Sequence, residues 1–166
     1  EYGKDERFVL VRNEQNGGLR VALNSCLKAA SAEYVVRMDA DDYSRPDRLE
    51  CLYKAARSNA SVDVIGTAMM SFDENGEYGV IHPRKLEPQK MDFLHGSVVA
   101  HASTIMKKDS LLRVNGYRVA WETTRCEDTD LYMRMCANGA EFRNLDEALY
   151  YVRQDRDSVA RRKYIN

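Results

Sequence analysis

A chain of 166 residues with 44% hydrophobic and 31% charged side chains can bury one core and is too apolar to remain disordered. Its net charge of −1 leaves no basic footprint for nucleic acid. Its longest apolar runs are a few residues, far below the roughly 20 that cross a bilayer, and the charged first dozen residues do not read as a secretion signal.

Four cysteines, Cys26, Cys51, Cys126 and Cys136, form no C-x-x-C pair and have no histidine at zinc-site spacing. Cys26 and Cys51 fall on the apolar faces of predicted helices, where a free thiol behaves as a small hydrophobe. A reduced, cytosolic context is expected, without a disulfide framework.

Phe8 to Val11 is a short apolar run and reads as a buried strand. Asn16-Gly17-Gly18 breaks the chain, and Leu19, Ala22, Leu23, Cys26, Leu27 and Ala30 then recur at helical spacing. Tyr34 to Met38 is a second strand, rich in aromatic and β-branched residues. Strand, break, helix, strand predicts a parallel α/β unit. A helix should follow, capped by Ser44 with Pro46 in its first turn, turning Leu49, Leu52, Tyr53 and Ala56 inward. Val62 to Met70 is a strand candidate, Asp73-Glu74-Asn75-Gly76 a turn, and Tyr78 to Ile81 an antiparallel return. Further along come a strand at Ser103 to Met106 and a helix at Asp109 to Val114 ended by Asn115-Gly116. A helix from Glu127 to Asn138 stops at Gly139, and Phe142 to Leu145 and Ala148 to Val152 are weaker strand candidates. Residues 154–166 read as a polar, basic tail.

Two acidic clusters carry the chemistry. Asp39, Asp41 and Asp42 stand where a parallel strand should end, and ligands bind at that end of open α/β sheets. Three carboxylates within four residues need a counter-charge or full solvation. A hard divalent cation, held by one or two carboxylates together with substrate phosphates, meets that need; a solvated turn capping the next helix is the alternative. An EF-hand is excluded although Asp39, Asp41, Asp47 and Glu50 match its spacing. Ser44 stands where that loop requires Gly, Pro46 interrupts it, and a strand precedes it where a helix is required. Glu127-Asp128-Thr129-Asp130 opens the later helix, where acidic residues also suit the helix dipole. Together the clusters fit group transfer from a phosphorylated donor: a cation neutralises the departing diphosphate, and a separate carboxylate takes the proton of an attacking hydroxyl.

From about Arg12 to Val159 the chain resembles the family 2 glycosyltransferases with the GT-A fold. The ordered series carries the resemblance: Asn16-Gly-Gly-Leu, Ala22-Leu23-Asn24, Tyr34-Val-Val-Arg-Met-Asp-Ala-Asp-Asp42, Pro46, Arg48-Leu49-Glu50, His101-Ala-Ser103, Gly116-Tyr117, Glu127-Asp-Thr-Asp-Leu131, Arg134, Gly139 and Tyr150-Tyr-Val-Arg153. It implies a Rossmann-like, mostly parallel mixed sheet with helices on both faces, a partial GT-A catalytic domain over 1–153. The implied reaction is an inverting, metal-dependent transfer of a hexose from a nucleotide-diphosphate sugar to a carbohydrate or lipid-linked hydroxyl acceptor. A sugar-phosphate nucleotidyltransferase and a non-catalytic carbohydrate-binding or scaffold domain are the alternatives.

The resemblance makes Asp41, with Asp39, the ligand of Mn²⁺ or Mg²⁺, and places Asp39, Asp41, Asp42 and Asn16 at the donor. Asp128 corresponds to the general base. Glu127, His101 and Trp121 would line the acceptor side, with a satisfied core histidine as the alternative for His101 and a residue covering the core as the alternative for Trp121. Ala102 replaces a common proline, Asp155 stands near a common histidine, and the Q-x-x-R-W element of processive synthases is absent, which favours single transfer. Nothing before Phe8 resembles the family's first strand, its helix or the aspartate that binds the nucleoside. Those parts are expected upstream, and this portion alone should be inactive. Phe8 to Val11 and Tyr34 to Met38 should then stand roughly 14 Å apart without pairing, at ~4.8 Å per strand. The exposed edge would be completed by another stretch or another chain. The resemblance places the protein in the cytoplasm or at the inner face of the membrane.

Overall fold

The computed structural model describes residues 5–96 and 98–154. Helix α1 (Gly18–Ala29) leads to β1 (Tyr34–Val36), β2 (Tyr43–Ser44) and α2 (Arg48–Ser58). The hairpin β3 (Val64–Asp73) and β4 (Gly76–Ile81) follows, then β5 (Ile105–Lys107), α3 (Lys108–Arg113), α4 (Glu127–Ala137) and β6 (Phe142–Arg153). Short 3₁₀ turns lie at Lys90–His95, His101–Ser103 and Trp121–Thr123.

The strands form one mixed sheet in the order β1-β5-β3-β6-β2, with β4 beside the outer half of β3. β3 and β6 pair in parallel, and the other ladders are antiparallel. β1, β3 and β6 therefore run in one direction, with β5 reversed between β1 and β3. Alternation along β3 feeds two cores. Val64 joins Leu27, Leu111, Leu131, Met135 and Phe142 on the face covered by α1, α3 and α4. Ile65 joins Leu52, Ala56, Ile105 and Leu149 on the face covered by α2. The expected α/β sheet with helices on both faces is what forms.

Several local expectations are corrected. Phe8 to Val11 forms no strand, and Phe8, Val9 and Leu10 are exposed. A strand exists only by pairing, and among the described residues none pairs with this run, so no ladder joins it to β1. β1 itself stops at Val36. Ser44 lies in β2 rather than capping α2, whose N-cap is Asp47, without a side-chain cap bond. Leu52 and Ala56 are buried as expected, but Leu49 (63% exposed) and Tyr53 (54%) are not. They line an open groove of 380 Å³ with Tyr34, Val36 and Ile105, beside the outer edge of β1. A second hollow, lined by Leu23, Cys26, Leu27 and Val35, flanks the same strand. Cys26 is consequently exposed rather than core, and all four cysteines are free.

Ser103 belongs to a 3₁₀ turn and not to β5. The two weak strands near the end are one strand, β6. Its register against β3 jumps from Thr67↔Leu145 to Ala68↔Ala148 and then to Met69↔Tyr150. Asp146 and Glu147 are squeezed out in a bulge, which hides the strand from its sequence pattern. Asp155 and the rest of the tail lie outside the described residues.

Candidate active site

The acidic loop is the connection from β1 to β2, and each of its carboxylates has a different environment. Arg37, the residue after β1, grips Asp39 with both ends of its guanidinium, Nη1 to Oδ2 at 3.0 Å and Nη2 to Oδ1 at 2.5 Å. The Asp39 N–H donates to the Tyr150 hydroxyl at 2.9 Å, and that hydroxyl donates to Asp42 Oδ2 at 2.5 Å. The Arg153 N–H completes Asp42 through Oδ1 at 2.7 Å. Asp41, at the exposed tip, has no described partner. Burial and the neighbouring Asp42 raise the Tyr150 pKa, so its proton stays on the oxygen and serves the loop.

Arg48 secures this connection from beneath. It is 1% exposed, and its Nη2 donates to the carbonyls of Arg37 (2.8 Å) and Ala102 (2.9 Å). Nη1 reaches Ser44 Oγ at 3.0 Å, and the guanidinium stacks 4.5 Å from the centre of the Tyr150 ring. With no carboxylate beside it, the buried cation is held by carbonyl dipoles and a π face, and desolvation pushes its pKa down to about 10. Arg48 thus joins the start of the acidic loop to the turn that carries His101.

His101 Nε2 and the Tyr117 hydroxyl are hydrogen-bonded at 2.7 Å, and the imidazole packs edge-on to Tyr132. Loss of solvation, then the charge of Arg37, push the His101 pKa down to about 3, so the ring is neutral at physiological pH. Burial raises the Tyr117 pKa; Arg37 opposes the shift, and Asp128 and Glu127 add to it. Arg37, which holds Asp39, and Asp128 on α4 therefore both act on the His101–Tyr117 pair. Asn24 of α1 fixes this tyrosine by donating to its carbonyl (2.7 Å) and accepting its N–H (2.8 Å). Gly116 precedes it at φ 64°, where an added Cβ would lie 2.5 Å from Asn24 Oδ1.

The carboxylates that open α4 separate by role. Asp130 is committed to structure, paired with Arg118 (2.5 Å) and Arg134 (2.8 Å). No side chain caps the helix, whose N-cap is Cys126. Asp128 accepts the Thr129 N–H through Oδ1 at 2.8 Å and lines a cavity of 260 Å³ with Thr67, Met69, Ile81, His82 and Arg84. Glu127 is partly buried on the same turn. Trp121 is 83% exposed at the start of its own turn. Asn16 stands apart from this cluster and accepts the Gly18 N–H at 3.0 Å, shaping the entry to α1. Arg37, Arg48, Tyr117 and Tyr150 have no role in the sequence-based assignment, although all four fall within its motif series.

No group of three or more His, Cys, Asp or Glu side chains among the described residues is arranged to enclose a metal ion. The loop offers one uncommitted carboxylate, Asp41, with Asp39 two residues away and already neutralised. That donor set fits a magnesium-type cation, which takes one or two carboxylates and completes its shell with water and substrate phosphates.

Tyr150→Phe removes the hydroxyl shared by Asp39 and Asp42 and leaves the partly buried Asp39 N–H without a protein partner. We expect a loss of about 1–3 kcal/mol, read as a lower urea midpoint at unchanged slope. A midpoint equal to wild type would show that water replaces the hydroxyl.

The two acidic clusters stand on separate elements, one in the connection from β1 to β2 and the other at the start of α4. Residues 1–114 match the family model described as glycosyl transferase family 2, and the chain belongs to that family. A Bacillus subtilis (strain 168) protein named as a glycosyltransferase, EpsE, is 38% identical over 96% of this chain and 57% of its own length. The Escherichia coli UDP-Gal:alpha-D-GlcNAc-diphosphoundecaprenol beta-1,3-galactosyltransferase is 30% identical over 90% of this chain and 54% of its own. The chain thus spans little more than half the length of these relatives. Among solved structures, S. aureus TarS 1–349 in complex with UDP-GlcNAc superposes with a TM-score of 0.65 at 22% identity, over 84% of this chain and 40% of that one. The Pyrobaculum calidifontis mannosyltransferase PcManGT, in complex with GDP-Man and Mn2+, gives 0.61 at 17%, over 87% and 39%. These neighbours share the GT-A fold. No helix among the described residues is long and apolar enough to cross a membrane.

Proposed function

We propose that the protein carrying this chain transfers a hexose from a nucleotide-diphosphate sugar to a hydroxyl of a glycan or lipid-linked acceptor, with inversion. The observation that carries this is the acidic loop after β1, in which Arg37, Tyr150 and the Arg153 N–H hold Asp39 and Asp42 in place and leave Asp41 open at the tip. Family membership and the names of the relatives support sugar transfer over nucleotidyl transfer.

Asp128 accepts the proton of the acceptor hydroxyl as that oxygen bonds to the anomeric carbon, and the bond from that carbon to the diphosphate breaks on the opposite face. Asp41 and Asp39 would hold Mn²⁺ or Mg²⁺, which when bound supplies positive charge to the leaving diphosphate. Arg37 fixes the Asp39 carboxylate in place through both of its oxygens. Glu127 and Trp121 stand on the acceptor side, and neutral His101 positions Tyr117 rather than moving protons. The outer edge of β1, flanked by two apolar hollows, is the place for further strands that carry the nucleoside site, from the same protein or another chain.

Calorimetric titration of UDP- and GDP-sugars into the full-length protein, with and without Mn²⁺, tests the donor side. Asp41→Ala is expected to weaken metal-dependent donor binding by at least about tenfold. Equal affinity with and without Asp41 would remove the loop from donor binding.

A further inference from the structure

We propose that His82 and Arg84 form an anion-reading edge of the acceptor cavity, so that the acceptor carries a phosphoryl group close to the sugar whose hydroxyl is glycosylated. This rests on Asp128 being the base that serves that cavity. Four observations lead to it.

First, His82 and Arg84 follow β4 directly, and both line the 260 Å³ cavity into which Asp128 also opens. That volume lies just below the roughly 300–1,000 Å³ of drug-sized pockets and suits one sugar ring with a small substituent. Met69, Ile81, Pro83, Val98 and Val99 supply apolar wall for the ring.

Second, His82 is oriented. Its Nδ1–H donates to Asp146 Oδ1 at 2.6 Å, which leaves Nε2 to face a ligand, accepting a phosphoryl O–H or, in the imidazolium form, donating to a phosphoryl oxygen.

Third, the oriented pair is built by the irregularity in β6. Asp146 belongs to the bulge opposite Thr67 and Ala68 on one edge of β3, whereas His82 follows Ile81, the partner of Met69 on the other edge. The contact therefore spans β3, and a regular ladder would not present Asp146 there.

Fourth, Arg84 is uncommitted. Arg37, Arg45, Arg113, Arg118 and Arg134 each hold a carboxylate, whereas Arg84 is exposed with no described partner. A guanidinium on a cavity wall matches a phosphate in charge and in its paired donors. Asp128 alone would repel an anionic acceptor, and the Arg84 guanidinium offsets that repulsion.

The phosphoryl group could belong to a soluble sugar phosphate or to the diphosphate that joins a sugar to a lipid, and three probes separate these. They are a methyl glycoside, the corresponding glycosyl phosphate, and the glycosyl diphosphate of a short alkanol. The full-length protein is expected to show kcat/KM at least about tenfold higher for one or both phosphorylated probes, the factor that one charge-assisted contact supplies. A preference for the alkyl diphosphate identifies the lipid-linked source, and a preference for the simple phosphate the soluble one.

Arg84→Gln should bring the phosphorylated-to-neutral ratio close to one, Arg84→Lys should restore part of it, and His82→Gln should lower it, with the donor KM unmoved throughout. Both side chains are exposed, so these variants should fold. Equal kcat/KM for all three probes in the wild type, or an unchanged ratio in Arg84→Gln, would overturn the proposal. Absence of transfer to any probe would instead count against the reaction assigned to Asp128. Calorimetric binding of the glycosyl phosphate to wild type and Arg84→Gln then decides the anion site separately: equal affinities refute it, and a tenfold loss in the variant supports it.

Discussion

Asp128→Asn in the full-length protein is expected to cut turnover at least ~100-fold while leaving donor affinity close to wild type. The substitution keeps the shape of the side chain and the oxygen that accepts the Thr129 N–H. It removes the property that the proposed reaction asks of Asp128, the capacity to take a proton from the acceptor hydroxyl. Since Asp128 caps no helix and, among the described residues, pairs with no arginine, little stability should be lost, in contrast to Asp130 with its two arginine partners. Steady-state rates of diphosphate release, beside donor titrations, measure both quantities. Wild-type turnover in Asp128→Asn would place the base elsewhere, with Glu127 the next carboxylate on the same turn.

The second large effect is expected at Arg48, and it falls on stability. Arg48→Ala withdraws the donors from the carbonyls of Arg37 and Ala102 and leaves a void under the Tyr150 ring. Unpaired buried carbonyls cost about 1–3 kcal/mol and an uncollapsed cavity adds to this, so a loss of ~3 kcal/mol or more is expected. Arg48→Lys keeps the charge but cannot stack on the ring while serving three acceptors through a planar fork, and should recover only part of the loss. Urea unfolding of the three proteins provides the comparison. A change below about 1 kcal/mol in Arg48→Ala would mean that the loop and the His101 turn are held by other contacts.

How far the sequence revealed this molecule depends on whether a residue's surroundings lie nearby in the chain. Val62 to Met70 and the turn at Asp73 to Gly76 predicted the β3–β4 hairpin because strand pattern and turn chemistry are both local. The helices at Leu19 to Ala30 and Glu127 to Asn138 were legible from spacing and from the glycines that bound them, Gly17-Gly18 before the first and Gly139 after the second. Leu49 and Tyr53 were misread because helical spacing marks an apolar stripe without saying what covers it. Phe8 to Val11 was misread for the same reason. Arg48 was invisible as a buried residue, since arginine belongs on the surface by every average and only Tyr150, about a hundred residues away, makes its burial tolerable. Likewise the acidic loop was legible as a cluster, but not the division of labour within it. Arg37, Tyr150 and Arg153 occupy Asp39 and Asp42 and leave Asp41 open to the solvent.

The bulge in β6 has a consequence for how this chain can change over time. Between Leu145 and Tyr150 the strand carries more residues than β3 does beside it, and that surplus delivers Tyr150 to the Asp39–Asp42 loop. Side chains alternate across a sheet, so losing one residue from this stretch would turn Tyr150 toward the opposite layer. Almost every side chain would survive such a deletion. Substitutions at Glu147 can drift, whereas the count of residues between Leu145 and Tyr150 cannot. At this point the chain stores its information as length, and lineages that kept the acidic loop should show exchanged letters here rather than gaps.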